Sequence, residues 1–528
     1  MKGTLKSRIN SILLVVLCVS ILIFISCHNT TEREIISISS PTITTSYPEV
    51  DDYIVRQMKA DEIPGLAIVV VQGEEVVYCK GFGNASVKGN LPVTPQTIFD
   101  LASVSKSFTA LGVLLLRDNG LIDLDASVQQ YLPDFRPDDP LASHITVHHL
   151  LNHTSGLPGA FSAPLIFQQG DDELVELVAA LSKVRLNREP GLLFEYADIN
   201  YCLLGALIEA VSEITFEEYI HQMVLKPLDM ENTTLYPEEA DAKGKADGHQ
   251  AMYNQIVTRN IPVYRSALPA GWVMSCAKDM GQWLIVNLND GRTARGQVIP
   301  MTDIEEAHAP TVTFEENGEE ISYGMGWFIS SADDEFLIWH GGDTPNFMAD
   351  MILLPDYKTG VVVLINSQAC TIGHDIAPEV ANLILGLELE TIGVPWWAHW
   401  KTIDTLATFT LVFILILILA LLFYSWYIWR QFRAGKRCYI GSSFADSILL
   451  WRLALYITPL VLAFMFVMTG YLVIRTLYGY NLFEVLFLFG LGAPPGVYIS
   501  GVSLLIVILL WAFTLAFVGI FTRGIKKA

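Results

Sequence analysis

At 528 residues, 52% of them hydrophobic and only 17% charged, the chain is longer than one ordinary domain and too apolar for a purely soluble protein. Its net charge of −22 is segregated: residues 401–528 hold ten Lys/Arg against three Asp/Glu, which leaves −29 on residues 1–400. A body that acidic repels phosphate backbones and anionic lipid heads, which argues against nucleic-acid binding, and an acidic, solubilising surface accounts for the charge.

In chain order, Lys2, Lys6 and Arg8 precede an apolar run from Ile12 to Ile25 and then Ser26-Cys27, the n-region and h-region of an export signal over 1–27. Phe24-Ile25-Ser26-Cys27 also resembles a bacterial lipobox, whose Cys would be lipidated. Ordinary cleavage and an uncleaved anchor remain open. All three place the following residues outside the cytoplasm. Residues 28–47 are polar and Ser/Thr-rich, a linker.

Two strand-like runs follow, Leu66–Val71 and Glu75–Phe82, joined by a Gln72-Gly73 turn. The pattern then turns helical at Ser105–Asn119, Val147–Asn152, Asp171–Ser182 and Ile199–Val211. Strands return at Tyr323–Ser330, Phe336–Trp339, Met348–Leu353 and Val361–Ile365, and a last helix covers about Asp375–Leu387. Strands at both ends with helices between predict an α+β domain whose terminal segments build one antiparallel sheet. Cys79, Cys202, Cys276 and Cys370 lie in apolar runs, so buried thiols and disulfide pairing are both open.

Beyond a juxtamembrane stretch at 391–404, three apolar runs, about 405–428, 448–474 and 498–521, each exceed the ~20 residues that span a hydrocarbon core. Arg430, Arg433, Lys436 and Arg437 crowd the first connection, and Arg523, Lys526 and Lys527 close the chain. By the positive-inside rule these ends are cytoplasmic and residues 28–400 external, a multi-pass protein of the cell membrane. Trp396, Trp397, Trp400, Trp426 and Trp429 fit interfacial belts. Leu482–Ala493 is too short to span. Arg452 and Arg475 lie near span ends, where snorkelling explains them, and nothing in the spans points to transport.

Two Ser-x-x-Lys runs occur, roughly the number chance provides in such a length. Ser275-Cys276-Ala277-Lys278 precedes a helical run, so Ser275 reads as an N-cap. Ser103-Val104-Ser105-Lys106 opens an apolar-faced helix. There positions i and i+3 share a face, and the helix dipole favours negative charge at its start. An unperturbed lysine, with pKa ~10.4, is no base near neutrality. Burial or a second cation would lower it; otherwise it stays charged and supports a tyrosinate.

The run FDLASVSKSFTALGVLLLRDNGLIDLDASVQQYLP resembles the class C β-lactamase and penicillin-binding-protein family of serine hydrolases, which includes DD-peptidases, D-aminopeptidases and esterases. So do ITVHHLLNHTSGLP, FEYADINYCLLG, PAGWVMS and WHGGDTPNFMADMILLP, in family order between about Pro48 and Leu389. The resemblance implies a domain over 48–390 with Ser103 as nucleophile and Lys106 as its partner. It implies Tyr196 as the base for acylation or deacylation, and His340-Gly341-Gly342 where many members have Lys-Thr-Gly. The backbone N–H groups of Ser103 and Asp343 would form the oxyanion hole, and Asp198, Gly341 and Gly342 would line the substrate site. Alone, Tyr196 would read as a packing tyrosine and His340 as a strand-end histidine.

Lys358-Thr359-Gly360 matches Lys-Thr-Gly by letter but reads as a hairpin turn. His149 and His153 have metal spacing without the accompanying Glu, so no metal is expected there, and no cofactor elsewhere. Two departures carry weight. Asp198 stands where the family has Asn; a carboxylate cannot donate, and it favours the charged form of Lys106, moving the base role toward Tyr196. Asn200 sits on another helix face. At His340-Gly341-Gly342 no hydroxyl or lysine can bind a substrate carboxylate. The expectation is a membrane-anchored serine hydrolase acting on a small-molecule or peptide substrate, an ester, amide or peptide, with D-amino-acid and cell-wall peptides among the options; both departures argue against efficient β-lactam hydrolysis. The alternative is a catalytically silent cell-wall or peptide receptor.

Overall fold

The apolar runs at the two ends of the predicted domain pair with each other in a computed structural model, which describes residues 47–159, 173–259, 261–316, 318–332, 335–387, 399–439 and 495–524. The expected export segment, nearly all of the linker, the span at 448–474 and the segment Leu482–Ala493 lie outside these residues.

Helix α1 (Pro48–Asp61) leads into β1 (Gly65–Gln72), β2 (Glu75–Ser86) and the short β3 (Leu91–Pro92). Late in the domain come β4 (Val312–Glu316), β5 (Glu319–Tyr323), β6 (Phe328–Ala332), β7 (Glu335–Asp343), β8 (Met348–Leu354) and β9 (Thr359–Ile365). They form one sheet in the order β4-β5-β6-β7-β8-β9-β1-β2-β3, closed in its middle by the antiparallel β1–β9 pair, with Leu66 opposite Ile365. Alternation sorts the side chains to two faces. Ile68, Val70, Ile352, Val361 and Val363 pack on α1 and on α5 (Ile376–Leu385). Val69, Val71, Met351, Val362 and Leu364 face α2 (Ser105–Asp118), α3 (Asp198–Ser212) and α4 (Ala277–Leu288). The architecture is the α+β one expected, an antiparallel sheet flanked by helices.

Several local expectations change. The predicted strand Tyr323–Ser330 is two strands, because Gly324 and Gly326 turn the chain between them. Gly326 has φ +82°, and a Cβ there would lie 2.9 Å from Lys106 O. The first hairpin turns at Gly73-Glu74, one residue later than expected, with Gly73 at φ +60°. In the decoy triplet only Lys358 (φ +45°) belongs to a turn, while Thr359 and Gly360 already pair in β9. Ser275 is not an N-cap: it lies buried in a two-residue strand opposite Phe99, 2.8 Å from Thr233 Oγ1, and α4 starts after Cys276. Cys79, Cys202, Cys276 and Cys370 are buried free thiols.

A second unit contains α6 (Trp400–Arg433) and α7 (Pro495–Phe521). At 34 residues, α6 is long and apolar enough to cross a membrane. Ser500 Oγ donates to Ala407 O (3.0 Å) and Trp511 Nε1 to Leu417 O (2.8 Å). The contacts advance in the same sense along both chains, so the two helices run parallel. The strands Arg437–Tyr439 and Thr522–Gly524 pair where both helices end.

Candidate active site

Ser103 does not open the α-helix itself. It sits in a single 3-10 turn, Ala102–Val104, whose next residue begins α2. Ala102 has φ +47°, a left-handed conformation that is costly outside glycine and that throws the chain into the helix abruptly. The turn is held from below: Val273 N–H donates to Ser105 Oγ (2.9 Å), and Thr109 Oγ1 donates to Pro269 O (2.7 Å). The first N–H groups of such a turn have no acceptor within their own helix and stay available for an anion.

Lys106 is fully buried, and its ammonium has three acceptors: Ser103 Oγ at 3.0 Å, Asp198 Oδ1 at 2.6 Å and Ala270 O at 2.7 Å. A carboxylate at that range favours the ammonium over the amine. Burial pulls its pKa down, but the charge of Asp198, then Tyr196 and the hydrogen bonds to both, outweigh burial and hold the pKa above the ordinary lysine value. Asp198 is the first residue of α3 and half exposed. The Tyr196 hydroxyl interacts with both Lys106 and Ser103, and Lys106 Nζ lies 4.8 Å from the Tyr196 ring centroid. Burial raises the phenol's pKa, Lys106 opposes it, and the net direction is up. Both candidate bases therefore hold their protons at rest. The sequence predicted this for Lys106 and not for Tyr196.

β7 runs past its last pair with β6, Phe328–Trp339, so the edge at His340–Asp343 has no β6 partner. Gly342 faces the serine turn. A Cβ there would lie 2.5 Å from Leu101 O and 2.9 Å from Ser103 N, so only glycine lets the strand end close on the turn. Gly341 faces the other way, toward His374. His340 is buried, its Nδ1 2.6 Å from Gly341 O and its Nε2 3.3 Å from Tyr323 OH. These partners assign a neutral ring, Nδ1–H donating and Nε2 accepting. Burial, and after it the charge of Lys106, push its pKa down to about 3. His340 is thus no proton carrier near neutrality.

Residues 50–380 match the Beta-lactamase family. The chain belongs to that family. It is similar to Protein flp of Staphylococcus aureus (strain MW2), 28% identical over 322 residues that cover 61% of this chain and 63% of the relative. The match thus spans less than two thirds of that relative's length. Penicillin-binding protein 4* of Bacillus subtilis (strain 168) is 28% identical over 323 residues, 58% of this chain and 68% of the relative. The octameric penicillin-binding protein homologue from Pyrococcus abyssi shares the fold at a TM-score of 0.57 and 29% identity, over 65% of this chain and 78% of that one. The family is one of serine hydrolases and acyltransferases.

Within this Beta-lactamase-family site, sequence reasoning missed two groups. One is the Ala270 carbonyl, 164 residues from Lys106, a backbone contact that no side-chain pattern announces. The other is His153, buried with φ +59°. Its Nδ1 lies 3.2 Å from Ala197 N and 3.1 Å from Asn200 Nδ2, and its ring centroid is 4.4 Å from that of Tyr196. His153 braces the turn that presents Tyr196 and Asp198. Asn200 also binds Ser155 Oγ (2.7 Å), facing away from Lys106 as its helix position required. His149 instead closes a capping box with Thr146 at the start of Val147–Leu151.

Proposed function

We propose that the chain is a membrane-tethered serine hydrolase in which Ser103 forms an acyl-enzyme with an ester, amide or peptide. The observation that carries this reading is the buried Lys106 ammonium, 3.0 Å from Ser103 Oγ, with the Tyr196 hydroxyl beside both. Ser103 Oγ attacks the acyl carbonyl, and its proton passes to the minor, singly deprotonated form of the Lys106–Tyr196 pair. The N–H groups of Ser103 and Asp343 receive the oxyanion; removing one side-chain donor of this kind costs ~2.7–4 kcal/mol in other enzymes. The bond to the leaving group then breaks as that proton moves onto it, and water repeats the sequence to release the acid.

Among the described residues placed at the site, Lys106 is matched by Asp198 and His340 is neutral, which leaves neither for a substrate carboxylate. An acyl donor that is neutral, or positively charged, fits better than a β-lactam carboxylate. A second reading, a catalytically silent receptor for cell-wall or peptide ligands, draws on the same Asp198–Lys106 pair, since it withholds the free amine.

For the membrane, the parallel run of α6 and α7 supports three spans. Parallel neighbours need a connection that returns to the starting side, and the apolar run 448–474 is long enough to make it. With the basic first connection inside, the hydrolase domain faces outward. One experiment tests both parts. Intact cells are treated with a membrane-impermeant fluorophosphonate and with a fluorescent penicillin, Ser103→Ala serving as control. A Ser103-dependent fluorophosphonate adduct with little or no penicillin adduct is expected. Absence of any Ser103-dependent adduct, in intact cells and in lysate, favours the receptor; labelling only after lysis refutes the orientation.

A further inference from the structure

The face of β7 opposite Ser103 carries a charged cluster that the chemistry above does not use. His374 lies in the turn Gly373–Asp375 ahead of α5. Its Nε2 is 2.9 Å from Asp343 Oδ2, and its Nδ1 is 3.5 Å from Oδ1 of the buried Asp350, which pairs with Gly341 across β7 and β8. Two glycines make the approach feasible. A Cβ at Gly341 would lie 2.9 Å from His374 Nδ1, and one at Gly373 would lie 1.7 Å from Sδ of Met348, the residue opposite Asp343. The turn is therefore pressed onto the strand end that also abuts Ser103 through Gly342.

Burial disfavours the imidazolium, but the hydrogen bond to Asp343, then the nearby Asp350 and the charges of both, outweigh it and hold the pKa of His374 up at about 10. The other titrating neighbours are Asp375 on its own turn, whose carboxyl burial raises and His374 lowers, and His340 in β7, which His374 helps to push down. Burial likewise raises Asp350, against which His374 acts. The geometry holds the His374 ring between the Asp343 and Asp350 carboxyl groups.

We propose that His374 is a positioning residue for acyl transfer: as a cation between Asp343 and Asp350, it fixes the end of β7 and cancels the Asp343 carboxylate beside the backbone N–H that receives the oxyanion. The inference rests on the Ser103 acyl-enzyme reading. An uncancelled carboxylate at residue 343 opposes the negative charge that forms in the transition state and hardly affects a neutral ground state, so its effect falls on kcat rather than KM.

The test uses the full-length protein in detergent with a neutral p-nitrophenyl ester. His374→Ala is expected to lower kcat about tenfold or more while KM stays within about twofold. In an Asp343→Asn background, where there is no carboxylate to cancel, the same substitution is expected to cost less than about threefold. A wild-type kcat in His374→Ala, or an equal loss in both backgrounds, overturns the proposal, the second result marking a purely structural role. Asp350→Asn supplies a readout that survives if His374→Ala does not fold. Removing that carboxyl moves the alkaline break in the rise of kcat to lower pH, and an unmoved break overturns the proposal. Ester hydrolysis that persists in Ser103→Ala signals instead that the acyl-enzyme reading is wrong.

Discussion

Replacing Asp198 by asparagine asks which group keeps the site protonated. Lys106 is fully buried, and its ammonium is held by a carboxylate 2.6 Å away on a half-exposed side chain. An opposite charge at such range moves a pKa by ~1–3. Water reaches Asp198, so the low end of that range applies, and its loss raises the fraction of free amine about tenfold at any pH well below the pKa. A reaction that needs one proton removed from the Lys106–Tyr196 pair speeds up about tenfold per pH unit until the pair titrates. Asp198→Asn should therefore move the rising limb of kcat/KM about one pH unit toward acid, and raise kcat/KM at pH 7 about tenfold on a neutral ester. The pair's contribution to stability does not confuse the measurement. A lysine whose folded pKa is raised keeps that contribution below its unfolded value and loses it only as pH rises through the folded one. The assay is hydrolysis of a p-nitrophenyl ester from pH 6 to 9, with Ser103→Ala as blank. A limb at unchanged pH, or a slower reaction at pH 7, refutes the idea that Asp198 restrains Lys106.

Gly342→Ala places a Cβ 2.5 Å from Leu101 O and 2.9 Å from Ser103 N, both backbone atoms that cannot swing aside. Fluorophosphonate labelling of Ser103 should slow by about a hundredfold or more, on the scale of losing one oxyanion donor; labelling at the wild-type rate would mean the strand end is looser than described. His340 and His308 are both pushed by burial to a pKa of about 3, below their unfolded value. Their contribution to stability is therefore complete above about pH 6.5 and is lost as pH falls toward 3. Urea melts of the full chain in detergent, followed by tryptophan fluorescence, should show stability falling between pH 6.5 and 4. His308→Gln should flatten that slope by up to ~1.4 kcal/mol per pH unit, and an unaltered slope counts against a neutral buried His308.

What could be read in advance follows from the range of each interaction. Ser103 and Lys106 are three residues apart, so local helix geometry brings them together, and the charge consequence of Asp198 needed only the identity of its neighbour. The sheet was legible because short, continuously apolar runs such as Val361–Ile365 can be buried only as strands covered on both faces. The break between β5 and β6 was not, because Phe328 and Tyr323 both suit strands, and the turn is imposed by contact of Gly326 with Lys106 O and Ser107. Ser275 misled for a related reason: a serine before a helix has the chemistry of a cap, and only its contact with Thr233 reveals that the side chain is buried elsewhere.

The same distinction explains where the candidate site remained hidden. The groups that titrate were visible in the sequence, whereas those that decide how they titrate were mostly not. Ala270 contributes a carbonyl, and neither it nor His153 follows any local pattern toward Lys106 or Tyr196. The family resemblance gives Tyr196 the base role, and Asp198, by disfavouring that role for Lys106, shifts it further that way. Yet burial acts on the phenol in the same direction, so relieving one base does not free the other. A site with both protons in place is poised for alkaline activity, and exchanging Asp198 for the family's asparagine relieves both groups at once, because its charge raises Lys106 and Tyr196 alike. A shifted limb after that exchange shows that Asp198 holds the proton on the Lys106–Tyr196 pair, and an unmoved limb refutes it.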